Sequence, residues 1–192
     1  MSKLLVFGLV GISILITLAL TALSLDPVAT AVSPATNATH ISTDISAGAV
    51  YDARFTDLNG VARSLATWEQ KLLVVNFWAT WCGPCKEEIP LLVALDKTFR
   101  DRGVQFVGIA ADSPLNVANF AKNMDISYPL LTSEADALAF SKRLGNRLGL
   151  LPHTVVIKPG GEIIYSKLGV VSEGELAGII EKNTLKVVNL QK

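Results

Sequence analysis

Residues 71–90 read KLLVVNFWATWCGPCKEEIP and hold the only two cysteines of the 192-residue chain, Cys82 and Cys85. The first half, KLLVVNFWA, is an unbroken β-branched and aromatic run, which predicts a strand buried on both faces. The cysteine motif follows directly and opens a helix expected to run through about Arg100. A strand passing straight into a helix at a cysteine pair implies an α/β fold with a particular local chemistry.

Two cysteines separated by two residues suit a metal site, a structural staple or a reaction centre. A structural zinc needs four N or S ligands, so a second Cys pair or a His pair should follow. The chain has only two histidines, His40 and His153, and neither stands beside the motif in sequence. A staple works by closing a loop of the unfolded chain, and closing two residues gains almost nothing. A reaction centre uses every position. Cys82 at a helix start meets unpaired backbone N–H groups and the positive end of the helix dipole, which favour the nucleophilic thiolate. Cys85, one turn on, faces the same side and can attack a mixed disulfide formed at Cys82. Gly83 lets another backbone approach, and Pro84 has a φ preset for the first helical turn. Lys86 is expected to be solvated.

Outward from the motif, RFTDLNGVARSL (54–65) predicts a hairpin centred on Asn59-Gly60. VQFVGIAA (104–111) predicts a second buried strand. SPLNVANFAKNM (113–124) predicts a helix with Ser113 as N-cap and Pro114 at its first position. YPLLT (128–132) reads as a short strand, and EADALAFSKRLG (134–145) as a helix stopping at Gly145. HTVVIKPGGEIIYSKLG (153–169) reads as an antiparallel hairpin around Pro-Gly-Gly, and SEGELAGIIEKN (172–183) as a closing helix. The predicted order is hairpin, then β-α-β-α-β-α, then β-β-α. It implies a mixed sheet covered by helices on both faces.

No charged residue lies between Lys3 and Asp26. About 22 apolar or small residues there would span roughly 33 Å as a helix, enough for a bilayer core. The flanking charges favour a cytoplasmic N-terminus with everything after residue 25 exported. The expected organisation is an anchor or signal at 1–25, a tether rich in Ala, Thr, Ser and Pro at 26–49, and one folded domain at 50–192. An uncleaved anchor is favoured over cleavage near Ala29-Thr30-Ala31. A formal net charge of zero argues against nucleic acid as a partner.

The segment FWATWCGPCKEEIP, with Pro90 five residues after the second cysteine, resembles the active-site segment of thioredoxin-fold proteins. The Asn76-Phe77-Trp78-Ala79 lead-in, Glu88, the apolar N-terminus and the insertion at 112–132 are more specifically similar to membrane-anchored, periplasm-facing reductases of the TlpA/ResA type. That resemblance implies a thioredoxin-like domain with an N-terminal hairpin and a central α/β insertion behind one transmembrane helix. It implies thiol–disulfide exchange by Cys82 and Cys85, with no cofactor beyond their redox-active disulfide. It further implies a cis proline facing the pair, at Pro152, and a substrate-facing role for Trp81, Leu151 and Pro152, the backbone of Leu151 pairing with an extended client. His153 is expected to border the site without being essential. Thioredoxin itself has an aspartate where this chain has Asn76, and an amide cannot take a proton. ResA-like proteins have an acid at the end of the next strand, which matches Asp112. Asp112 is expected either to shuttle the Cys85 proton from a carboxyl raised by desolvation or to cap the following helix. The partners implied are exported proteins with disulfides, such as apocytochrome c, and a membrane thiol-transporting electron donor. The implied place is the periplasmic side of the inner membrane. The alternative is a redox-inert docking or metallochaperone domain on the same fold.

Overall fold

The computed structural model describes residues 48–190. The expected anchor at 1–25, and all of the tether but its last two residues, lie outside the described residues. Among the described residues, no helix is long and apolar enough to cross a membrane. The elements are β1 (Arg54–Asp57), β2 (Ala62–Ser64), β3 (Leu72–Trp78), α1 (Gly83–Phe99), β4 (Val104–Ala110), α2 (Pro114–Ala121), β5 (Leu130–Thr132), α3 (Asp136–Arg143), β6 (His153–Ile157), β7 (Ile163–Leu168) and α4 (Glu173–Leu190). They form one sheet in the order β2-β1-β5-β4-β3-β6-β7. β3, β4 and β5 run parallel, while β1 and β6 run antiparallel to their neighbours on both sides. The expected mixed sheet is therefore present, with β3 between β4 and β6.

That inner place explains the composition of β3. All seven of its residues are buried, so it reads as a continuous apolar run. Its side chains still alternate between faces. Leu72, Val74 and Trp78 pack with Ile89 and Leu92 of α1 and with Leu176 and Ile180 of α4. Leu73, Val75 and Phe77 pack on the other face, with Phe140 of α3 and with Val50 and Leu65. Each Leu or Ile buried completely in these layers contributes about 1.5–3 kcal/mol relative to exposure. By parity, Asn76 belongs to the α1 face. α1 presents Cys85, Glu88, Ile89, Leu92, Leu95, Asp96 and Phe99 to the sheet, a stripe at three- and four-residue spacing. Pro90 lies on its exposed side, where its missing N–H leaves only the Lys86 carbonyl without a helical partner.

The expected hairpin is present and is centred on Asn59-Gly60. Four residues connect β1 to β2, and Asp57 Oδ1 accepts the N–H groups of both Asn59 and Val61 at 2.9 Å. α3 ends at Arg143, and the chain leaves it through Gly145 at φ +107°.

Candidate active site

β3 delivers the chain to the motif and α1 carries it away. Cys82 is the residue between, in an extended conformation (φ −84°, ψ 108°), so it caps α1 rather than joining it. Its Sγ accepts the N–H of Cys85 at 3.2 Å, one of the donors a helix start leaves open. The two sulfurs are joined as a disulfide. Cys82 is 6 % exposed and Cys85 not at all, so an outside group reaches the first sulfur and not the second. Around Cys82 the surface is open: Trp81 is 67 % exposed, and nothing lies within 4 Å of where a Cβ on Gly83 would stand.

The Leu151–Pro152 bond is cis. Pro152 is buried, and its carbonyl accepts the N–H of Gly169 at 2.8 Å, which ties the loop after β7 to this segment. Leu151 packs against the cluster that contains both cysteines. Neither its N–H nor its carbonyl has a hydrogen-bond partner among the described residues. His153 does not border the open site as expected. It is 1 % exposed, its ring stacks on Phe77 at 5.5 Å, and its nitrogens meet Ser141 Oγ at 2.8 Å and Ser166 Oγ at 2.9 Å. Burial lowers its pKa to about 4, so the ring is neutral near pH 7.

Asp112 lies at the end of β4, next to the motif loop, and the structure corrects both expectations for it. Its Oδ2 accepts the N–H of Thr80 at 3.1 Å and the Thr80 hydroxyl at 2.5 Å. Its Oδ1 accepts the N–H of Ser113 and the amide of Asn116, each at 2.8 Å. Burial pushes the carboxyl up, but these four donors outweigh it and hold the pKa below 3.8. A carboxylate so placed takes up a proton only in acid. Nor is Asp112 the N-cap of α2, since Ser113 fills that place and accepts from Asn116 N–H. Asp112 clasps the motif loop to the β4–α2 junction.

Glu88, which in the sequence carried only the family resemblance and no site role, is 1 % exposed on the buried face of α1. Three residues after Cys85, it stands one turn along the same face, with Cβ atoms about 5–6 Å apart in such pairs. Glu88 Oε2 accepts from Asn76 Nδ2 at 2.7 Å and Oε1 from Val171 N–H at 2.9 Å. Burial raises its pKa above 4.5, and two donors do not cancel that. Asn76 Nδ2 also reaches Thr154 Oγ1 at 2.9 Å, while its Oδ1 is buried without a partner. The signal was available: residues 85, 88 or 89, 92 and 99 trace one helical stripe, and an acid inside an apolar stripe is a buried acid. Among the described residues, no three His, Cys, Asp or Glu side chains come together as a metal-holding group.

A profile of the family described as Redoxin matches residues 33–182. Thiol-disulfide oxidoreductase ResA of Bacillus cereus is 30% identical over 131 residues, covering 67% of this chain and 73% of that protein. The crystal structure of a thioredoxin-family thiol:disulfide interchange protein from Chlorobium tepidum TLS superposes with a TM-score of 0.61 at 30% identity, over 69% of this chain and 92% of that one. The crystal structure of a thioredoxin-related protein from Neisseria meningitidis serogroup B gives 0.61 at 34% identity, over 67% and 97%.

Proposed function

This chain belongs to the Redoxin family, as a thiol–disulfide oxidoreductase of the ResA-like thioredoxin-fold type, and from that premise we propose that it reduces disulfides of exported proteins from a tethered position outside the cytoplasmic membrane. The observation that carries the reading is the asymmetry of the pair, an accessible Cys82 at a helix start and a fully buried Cys85. In the reduced protein, Cys82 thiolate attacks one sulfur of the client disulfide. A client thiolate leaves and a mixed disulfide forms. Cys85, as thiolate, then attacks Cys82 Sγ, the second client sulfur leaves as thiolate, and the Cys82–Cys85 bond closes. Two electrons have passed to the client. The Cys85 thiol must lose its proton for this second attack, and Glu88 is the acid on its face, its pKa raised by burial, that is placed to accept one. Asp112 is assigned the clasp on Thr80 instead.

The CGPC spacer supports the reducing direction, because thioredoxin, with the same spacer, has a potential of about −270 mV. In an oxidising compartment this demands an outside dithiol, for which a membrane thiol transporter is the proposed donor. Haem-site cysteines of apocytochrome c are among the proposed clients. On the client side, the unpartnered Leu151 peptide is the proposed site of pairing with an extended segment, and Trp81 a flanking contact. The test is Cys85→Ser expressed in cells: exported proteins should accumulate as mixed disulfides on Cys82. Trapping through Cys85 in Cys82→Ser, with none through Cys82, would reverse the assignment.

A further inference from the structure

The segment that reaches the cis bond is not held by hydrophobic burial. Leu148 and Leu150 are 72 % and 54 % exposed, and Gly149 turns the chain at φ +65°, where a side chain would be strained. What holds it is an amide from behind. Asn146 is 3 % exposed and its side chain is fully engaged. Oδ1 accepts the N–H of Leu150 at 3.2 Å; Nδ2 donates to the Leu150 carbonyl at 2.7 Å and to Ser141 Oγ at 2.9 Å. The amide thus grips the Leu150 residue at both its backbone groups, as an adjacent strand would.

Donor arithmetic fixes the rest of the chain. Ser166 Oγ gives its one proton to the Leu144 carbonyl at 3.4 Å, so it accepts from His153 Nε2–H; the bare Nδ1 of the neutral ring then accepts from Ser141 Oγ, which itself accepts from Asn146 Nδ2. The polar chain runs from β7 through β6 and α3 to the exposed turn, with each donor facing an acceptor. A neutral His153 keeps it intact near pH 7.

We propose that Asn146, braced by Ser141 and His153, is a positioning residue for client recognition: by gripping Leu150 it fixes the next backbone groups, those of Leu151, for pairing with an extended client segment. The inference rests on the reading above that Leu151 pairs with the client. The full chain and its Asn146→Ala and Ser141→Ala variants would be assayed on three probes. These are a disulfide-bonded peptide, the same peptide N-methylated beside its reactive cysteine, and hydroxyethyl disulfide, which has no backbone to pair. Asn146→Ala should lose about tenfold in kcat/KM on the peptide relative to hydroxyethyl disulfide, mainly through KM, the scale of one lost hydrogen-bonded pairing. Ser141→Ala should shift the same ratio in the same direction by a smaller factor. Both variants should discriminate less than the native chain against the N-methylated peptide.

Equal losses of Asn146→Ala on peptide and hydroxyethyl disulfide, or native discrimination between the peptides, would overturn the proposal. If Asn146→Ala does not fold, Ser141→Ala carries the comparison, and an unchanged peptide preference there overturns it. A native chain indifferent to N-methylation would instead refute the pairing at Leu151 on which the proposal stands.

Discussion

Asp112 at the β4–α2 junction and Glu88 on the inner face of α1 are both buried acids bonded to segments around the redox motif. Yet the first is held below 3.8 and the second above 4.5. Both suffer desolvation, which raises a carboxyl. Two differences separate them: Glu88 is the more deeply buried, and four hydrogen bonds converge on Asp112 against two on Glu88. A carboxylate surrounded by donors is a fastening, because protonation would waste them. A carboxylate with few donors in an apolar layer loses less by taking a proton, and so is the better placed to exchange one.

The largest effect that could break this comparison is kinetic. Glu88→Gln should slow closure of the Cys82–Cys85 bond near neutral pH by about a hundredfold, the lower end of what general acid–base groups contribute. Rapid-mixing measurements of mixed-disulfide resolution would read it. Under the same conditions Asp112→Asn should change that step far less, and a reversed order would exchange the two roles.

A smaller effect is expected in stability. Asp112→Asn should cost about 1–3 kcal/mol at pH 7, because an amide cannot accept from all the donors a carboxylate serves. With a folded pKa below its ordinary value, Asp112 stabilises the fold above 3.8, and that contribution is lost as pH falls through the lowered folded value. Urea titrations of native and Asp112→Asn chains should therefore converge in acid. A gap that persists unchanged at the lowest pH would contradict the ionised clasp.

The smallest effect sharpens the other side. The folded chain holds the Glu88 proton more tightly than the unfolded one, so the group favours folding most below 4.5, and this advantage is lost as pH rises through the raised folded value. The stability of the native chain relative to Glu88→Gln should decline as pH rises from below 4.5 through the raised folded value. A difference that grows with pH would place the Glu88 pKa below its ordinary value.

The same contrast explains what the sequence made legible. The continuous run at 72–78 announced an inner strand because burial on both faces writes itself into composition, and the Cys-Gly-Pro-Cys junction announced a helix start. Pro152 could be placed because its segment resembles a family pattern. Glu88 and Asp112 could not be sorted, since their behaviour depends on donors from Thr80, Asn116, Val171 and Asn76, brought near by the sheet rather than by sequence. His153 was hidden similarly: its partners Ser141 and Ser166 come from α3 and β7.

The most direct measurement is a titration of the two carboxyl groups themselves, by carbon NMR of selectively labelled Asp and Glu in the native chain, with Asp112→Asn and Glu88→Gln used to assign the signals. Glu88 is expected to titrate above 4.5 while Asp112 stays ionised to below 3.8. Asp112 titrating above its ordinary value, with Glu88 below its own, would contradict this and return the Cys85 proton to Asp112.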